Sequence, residues 1–277
     1  MSERFLTGRK AWITGGATGI GRAIALALAD AGADTAIGSL TESGTLPPTA
    51  YAAIPRPEDI EATAETIRRR NVKCYAGSLD VRDQRSVQAF HDQARAQLGS
   101  FDILINAAGV SAQEAVVGHT DETWTTVIGI NLSGCFRVIR CCFPSMLEQG
   151  WGRIVNIAST AAEVGGPRHS AYCASKFGLL GLTRCVALEG APRGVTCNAI
   201  NPGSVGTEMM RLGSLRRIAQ GGQGATVEEN FALIAAAMPQ KRLITVEEIA
   251  STALYLCRDE AHGINGEAIT VSGGALW

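Results

Sequence analysis

Aromatic residues make up only 5% of this 277-residue chain, and no stretch reads as long and apolar enough to span a bilayer. A basic block is also missing. Twenty-five Lys and Arg against 26 Asp and Glu leave a net charge of −1, which excludes nucleic acid as the expected main partner. The opening MSERFLTGRK lacks the continuous apolar segment of a secretory signal, so the expected compartment is the cytoplasm. The eight cysteines, at 74, 135, 141, 142, 173, 185, 197 and 257, include no CxxC pair. His91, His119, His169 and His262 are scattered, and none pairs at ligand spacing with another or with a cysteine. No disulfide framework and no metal centre is therefore expected, and the cysteines read as small core hydrophobes. Cys173 directly follows Tyr172, but adjacent helical residues point in different directions, which argues against a nucleophilic or redox role.

What is present is alternation. Strand-like apolar runs at Lys10 to Thr14, Asp34 to Ser39, Val72 to Ser78, Ile103 to Asn106, Arg153 to Ala158, Val195 to Ile200 and Ala268 to Val271 are separated by helical stretches. That pattern predicts an α/β fold, a parallel sheet with helices on both faces, and no internal boundary or repeat divides it. The first strand runs straight into GGATGIG, followed by a helix over Arg22 to Ala31 closed by Gly32. Strand, glycine turn and helix together suit a phosphate site. Gly15 permits the tight turn, Gly19 lets the backbone approach a pyrophosphate, and Gly21 lets helix and strand pack closely. Farther on, Tyr172 and Lys176 stand four apart on one helix face, with Ser159 thirteen residues upstream. An ammonium beside a phenol favours the phenolate, which can then trade protons with an alcohol or a carbonyl.

Thr14-Gly-Gly-Ala-Thr-Gly-Ile-Gly21, Asn106-Ala-Ala-Gly109, Ser159, Tyr172-x-x-x-Lys176 and Asn201-Pro-Gly203 follow one another in the order of the short-chain dehydrogenase/reductase family, which this chain resembles over nearly its whole length. One slot departs: the second Asn common in the family's NNAG motif is Ala107. The resemblance implies a single-domain, Rossmann-type doubly wound parallel sheet over residues 1–277. It implies catalysis by Asn131, Ser159, Tyr172 and Lys176, in which Tyr172 takes the substrate hydroxyl proton while hydride passes to the nicotinamide. Ser159 would hydrogen-bond the substrate oxygen, Lys176 would lower the Tyr172 pKa and reach the nicotinamide ribose, and Asn131 would hold a water that connects Lys176 to solvent. The dinucleotide would be met by Gly15, Thr18, Gly19, Ile20, Gly21, Ser39, Asp80, Val81, Asn106, Ala107, Gly109, Tyr172, Lys176, Pro202, Gly203, Val205 and Thr207. Asp80 has a rival reading as a turn or cap ahead of a helix over Arg82 to Ala89. Assembly as a homotetramer also follows from the resemblance, and the apolar ending Ala275-Leu276-Trp277 would suit such an interface.

The second strand ends in Gly38, Ser39 and Leu40, with neither the acidic residue that grips the ribose of NAD nor a base for the phosphate of NADP. Thr18 sits where NADP-preferring relatives are often basic. A phosphate dianion without a cation is costly to bind, which favours NAD, with Ser39, Thr41 and a swinging Arg56 as the route to NADP. Two segments break the alternation. Leu40 to Asp59, with four prolines, predicts an extended loop, and Ser204 to Val227 matches the family's mobile substrate lid, with Gly221, Gly222 and Gly224 as hinges. The substrate-facing stretches, Ser111 to Glu114, Ala161 to Glu163, Arg168 with His169, and Glu208 to Arg211, are polar. They predict a polyol, sugar or hydroxy acid as small-molecule substrate, with Arg168, His169 or Arg211 as anion partners. The run QKRLITVEEIASTALYLCRDEA looks most like hydroxybutyrate and sugar or polyol dehydrogenases, although Ala161 and His169 depart from the hydroxybutyrate pattern. The alternatives are an NADPH-dependent carbonyl reductase of oxoacyl type and a non-catalytic cofactor-binding protein.

Overall fold

The computed structural model describes residues 4–41 and 46–276. Seven strands form one parallel sheet: β1 (Lys10–Thr14), β2 (Asp34–Ser39), β4 (Cys74–Ser78), β5 (Ile103–Asn106), β7 (Gly152–Ile157), β8 (Val195–Pro202) and β9 (Ala268–Val271). Their spatial order is β4-β2-β1-β5-β7-β8-β9. The order reverses between β1 and β5, whose registers place Thr14 beside Asn106. A crevice opens at that reversal, because the connections on either side leave in opposite directions. Strand alternation builds a core on each face. Ala11 and Ile13 of β1 join Ile24, Leu28, Ile249 and Leu256, whereas Trp12 joins Phe90, Val138 and Met146. The first face is covered by α1 (Gly19–Asp30), α2 (Pro57–Arg68) and α9 (Val246–Leu256); the second by α3 (Gln84–Leu98), α5 (Cys135–Gln149) and α6 (Ser170–Gly190). Each fully buried Leu or Ile contributes about 1.5–3 kcal/mol relative to exposure.

Local signals set the helix ends. Gly32, at φ +100°, turns the chain after α1, and Thr245 with Glu248 forms a capping box on α9. The cap of α3 is Asp83, which accepts from the Arg85 amide, so the cap reading of Asp80 falls to its neighbour three residues on. The strand after α2 begins at Cys74 rather than Val72, because Asn71 takes a left-handed φ of 57° and ends the turn there.

The expected extended loop after β2 is more structured. It supplies β3 (Ala50–Tyr51), which pairs antiparallel with β6 (Ser111–Ala112), and it gives way to α2 at Pro57, a residue preorganised for a first helical turn. The expected lid contains α7 (Glu208–Ala219) and leads by a glycine turn into α8 (Val227–Ala237). The membrane expectation also needs correcting. α4 (Asp121–Ile128), a wide π-helical turn over Gly129–Gly134 and α5 form one run, Asp121–Gln149, that is long and apolar enough to cross a bilayer. Its apolarity serves the core instead: Val127, Ile130, Val138, Ile139 and Met146 are buried against the sheet. Of the apolar C-terminal ending, Trp277 lies outside the described residues.

Candidate active site

The carboxyl ends of β1, β5 and β7 and the loops that follow them surround a cavity of about 510 Å³. At its floor, Thr14 Oγ1 accepts the amides of Ala107 (3.2 Å) and Ala108 (3.1 Å), tying the first glycine turn to the end of β5. Ala107 thus enters through its backbone amide. A Cβ on Gly21 would lie 2.3 Å from the Gly15 carbonyl oxygen, and Gly15 itself turns at φ +67°. Thr18 does not cap α1; its hydroxyl donates to the Ala53 carbonyl at 3.3 Å. The first amides of α1 face the cavity, and the first turn carries no acidic residue to compete. A tight glycine cradle at a positive helix end fits the pyrophosphate of a dinucleotide.

Beyond the cradle, Leu79, Val81, Ala52, Ile54 and Pro55 form an apolar slot. Ser39 is buried and its hydroxyl accepts the Ala17 amide at 3.3 Å. Asp80 stands at the mouth, paired with Arg82 at 2.6 Å. Burial pushes its carboxyl up, but hydrogen bonds and charge from Arg82 outweigh that and hold it below the usual carboxylate range. Arg56 does not swing in: it pairs with Asp59 at 3.2 Å at the start of α2 and is absent from the cavity wall. Thr41 shares a hydrogen bond of 3.1 Å with Ser78.

α6 carries Tyr172 and Lys176 into the same space. Lys176 is 5% exposed, donates to the Ile157 carbonyl at 2.8 Å and sits 5.6 Å from the centroid of the Tyr172 ring. Burial lowers its pKa to about 8. For Tyr172 the walls around it push the phenol up from its ordinary value, and a hydrogen bond from Ser159 only partly opposes this. The expected lowering by Lys176 is absent, because the ammonium donates to the Ile157 carbonyl rather than to the phenol. Ser159, at the end of β7, accepts the Ala161 amide at 3.1 Å. Gly109 lies between the groups: a Cβ there would stand 3.4 Å from Asn131 Oδ1 and 3.9 Å from Lys176 Nζ.

All of the expected cofactor and catalytic residues line this cavity except Asn106 and Asn131. Asn131, fully buried in the π-helical turn, accepts the Val110 amide at 2.9 Å and donates to the Val110 carbonyl and the Ser175 hydroxyl, both at 3.0 Å. It holds the loop after β5 that carries Gly109 rather than facing the cavity. Asn106 likewise sits behind the wall, donating to Asn156 at 2.8 Å.

The substrate side differs more from expectation. His169 lines the cavity, 3.4 Å from the Gln113 amide nitrogen, but Arg168 does not, and Arg211 is exposed and doubly bonded to Glu208 at 2.6 and 2.7 Å. The wall instead includes Tyr51, Val164, Met209, Ser214, Arg217 and Ile234. Met210, Gly213, Ser214 and Arg217 follow an i, i+3, i+4, i+7 stripe, which a helical reading of the lid would have exposed. Tyr51 carries no such signal, since only the pairing of β3 with β6 brings it in. No metal-binding cluster is found among the described residues.

A family profile described as enoyl-(acyl carrier protein) reductase matches residues 15–275. The chain is 36% identical over 270 residues to a D-beta-hydroxybutyrate dehydrogenase of Rhizobium meliloti, covering 96% of this chain and 98% of that one. Among solved structures, carveol dehydrogenase from Mycobacterium avium in complex with NAD superimposes with a TM-score of 0.90 at 28% identity, covering 98% and 99%. Actinorhodin polyketide ketoreductase with NADPH gives 0.87 at 32% identity, covering 96% and 97%. The glycine cradle, the Ser159, Tyr172 and Lys176 cluster and these matches agree: the chain belongs to the short-chain dehydrogenase/reductase family.

Proposed function

We propose that this oxidoreductase interconverts a secondary alcohol and a ketone on a small polar substrate, a polyol, sugar or hydroxy acid, and that the chain acts as one domain. The observation that carries the reading is that Ser159, Tyr172 and Lys176 line the same cavity as the glycine cradle, with Lys176 beside Gly109. The dinucleotide supplies the hydride acceptor or donor when bound. Gly15, Gly19, Ile20 and Gly21 would hold its phosphates, Asp80 and Val81 its adenine side, and Pro202, Gly203, Val205 and Thr207 its nicotinamide side. Tyr172 takes the hydroxyl proton in oxidation and returns it in reduction, and Ser159 hydrogen-bonds the reacting oxygen. Lys176 keeps a positive charge within reach of Tyr172, and Asn131 positions the loop through Val110 against which the substrate lies.

NAD is the favoured cofactor. Among the described residues no cation lines the cavity beside Ser39, and Arg56 and Arg82, on the segments that follow β2 and β4, are engaged with Asp59 and Asp80. The second reading, an NADPH-dependent reductase of oxoacyl type, draws on the likeness to the polyketide ketoreductase and on the hydroxyls of Ser39, Thr41 and Ser78 at the strand ends. Assembly as a homotetramer accounts for Trp124, Phe136, Phe177 and Leu188, exposed on α4, α5 and α6. The test is parallel calorimetric titration of NAD and NADP, followed by turnover of polyols, hydroxy acids and ketones. Binding of NAD at least about tenfold tighter supports the reading. Tighter NADP binding moves the assignment to the reductase, and binding of neither overturns both.

A further inference from the structure

The cavity's charged groups are mostly neutralised in place. Asp80 is paired with Arg82, and Glu208 with Arg211. Two cations in the wall meet no carboxylate among the described residues: Lys176, which serves the reaction, and Arg217. Arg217 donates through Nη1 to Asn230 Oδ1 at 3.0 Å, a neutral partner that orients the guanidinium without cancelling its charge. It lies ten residues past Thr207, whose methyl stands 3.7 Å from the position of a Cβ on Gly19. Along a helix that is about 15 Å, so Arg217 is remote from the cradle that fits the pyrophosphate.

Tyr51 provides the second, independent observation. It is 8% exposed, lines the cavity, and its hydroxyl has no hydrogen-bond partner among the described residues. Its ring is fixed by the Arg216 guanidinium, 4.9 Å from the centroid, and its hydroxyl would lie 3.0 Å from a Cβ on Gly213. It lines the same cavity as Tyr172. Ser214, one residue past Gly213 and 1% exposed, also lines the cavity with a hydroxyl that has no partner. A buried hydroxyl without a partner is costly, and a guanidinium without a carboxylate is a binding group for one.

We propose that Tyr51, from the ribbon strand β3, and Ser214 and Arg217, from the inward face of α7, form a subsite for the carboxylate of a hydroxy-acid or oxo-acid substrate. The proposal rests on the alcohol–ketone reading above and narrows it, setting polyols and neutral sugars aside. Arg217 takes the place that Arg168 and Arg211 were expected to fill.

The test compares a series of 3-hydroxy acids with their primary amides, which keep the carbinol and lose the charge. Turnover is measured with NAD and NADP, and binding by saturation-transfer NMR. The acid should be preferred in kcat/KM by at least about tenfold, as expected for a charge-assisted hydrogen bond. That ratio should collapse towards one in Arg217→Gln, chiefly through KM, should be largely kept in Arg217→Lys, and should fall in Tyr51→Phe. Tyr51→Phe should melt with the wild type, because its hydroxyl bonds nothing in the fold. A wild-type ratio near one, or a ratio that survives Arg217→Gln, overturns the subsite while leaving the alcohol–ketone reading intact. If no compound of the series turns over, binding alone decides. Acid bound more tightly than amide and lost in Arg217→Gln sustains the subsite; equal binding or none overturns it.

Discussion

The two edges of the sheet each bury a long cationic side chain and treat it in opposite ways. At the amino-terminal edge, Arg153 is 2% exposed, donates to the Gly152 and Gly194 carbonyls at 2.9 and 3.2 Å and reaches Asp259 at 3.2 Å. Its guanidinium lies over Trp151 at 4.3 Å, with Arg9 over the same indole at 3.6 Å. Arg9 in turn pairs with Asp102 at 3.0 Å. At the carboxyl edge, Lys176 has one carbonyl for a partner, and the hydroxyls of Tyr51 and Ser214 have none among the described residues. The amino-terminal edge meets most of its polar groups from within the protein, with only Arg153 Nε left over on that side chain, and is structural. The carboxyl edge keeps polar groups in reserve for ligands, at a cost to stability that the closed edge and the core must offset.

The sharpest way to break the contrast is at Tyr172. Tyr172→Phe should reduce kcat by about a thousandfold, the size of a general acid–base contribution, while circular dichroism and dinucleotide binding stay as in the wild type. A residual rate within tenfold of the wild type, by steady-state kinetics, would remove Tyr172 from its role. Arg153→Ala at the opposite edge should do the reverse, lowering stability by about 2–4 kcal/mol in urea melts and leaving kcat of the folded protein unchanged. Gly21→Ala should weaken dinucleotide binding by about tenfold or more in calorimetry, since the added methyl displaces the Gly15 carbonyl and the cradle with it.

The smallest effect discriminates most finely. The Lys176 pKa of about 8 lies below the ordinary 10.5, so between those values the unfolded chain binds the extra proton and stability rises with pH. At pH 7 both states are protonated and the burial penalty is fully present. Lys176→Met should therefore abolish turnover yet raise stability near pH 7 by about 1 kcal/mol, after the loss of the Ile157 hydrogen bond. The gap to the wild type should close as the pH approaches 10. Thermal melts across that range measure it, and a variant less stable than the wild type at every pH would place Lys176 with Arg153 as a structural cation.

Four of the seven sheet strands were legible to the residue, because in a doubly wound sheet both faces are covered and each strand is a short apolar run bounded by turns. The glycine turn was legible for a different reason: close backbone approach admits no other residue at Gly21. Where facing depends on neighbours, less was legible. The segment expected as a lid gave no sign of which face of α7 turns inward, and Arg211 was preferred to Arg217 because proximity in sequence to Glu208 and Met209 gave no hint of facing. Asn131 was found, but its side chain turned out to serve Val110, since the wide turn that carries it rotates it behind the wall.

The order of motifs and the alternation of strands were enough to read the family and the direction of the sheet and to single out Ser159, Tyr172 and Lys176 as candidates, because each depends on residue types at fixed local spacings. Only the tertiary structure decided which groups share the cavity. It brought Tyr51 into the cavity that holds Tyr172 by pairing β3 with β6, tied Arg56 to Asp59 and Arg211 to Glu208, and turned Arg217 inward. Those outcomes depend on which polar atoms find partners once distant segments meet, and chain spacing carries no record of that.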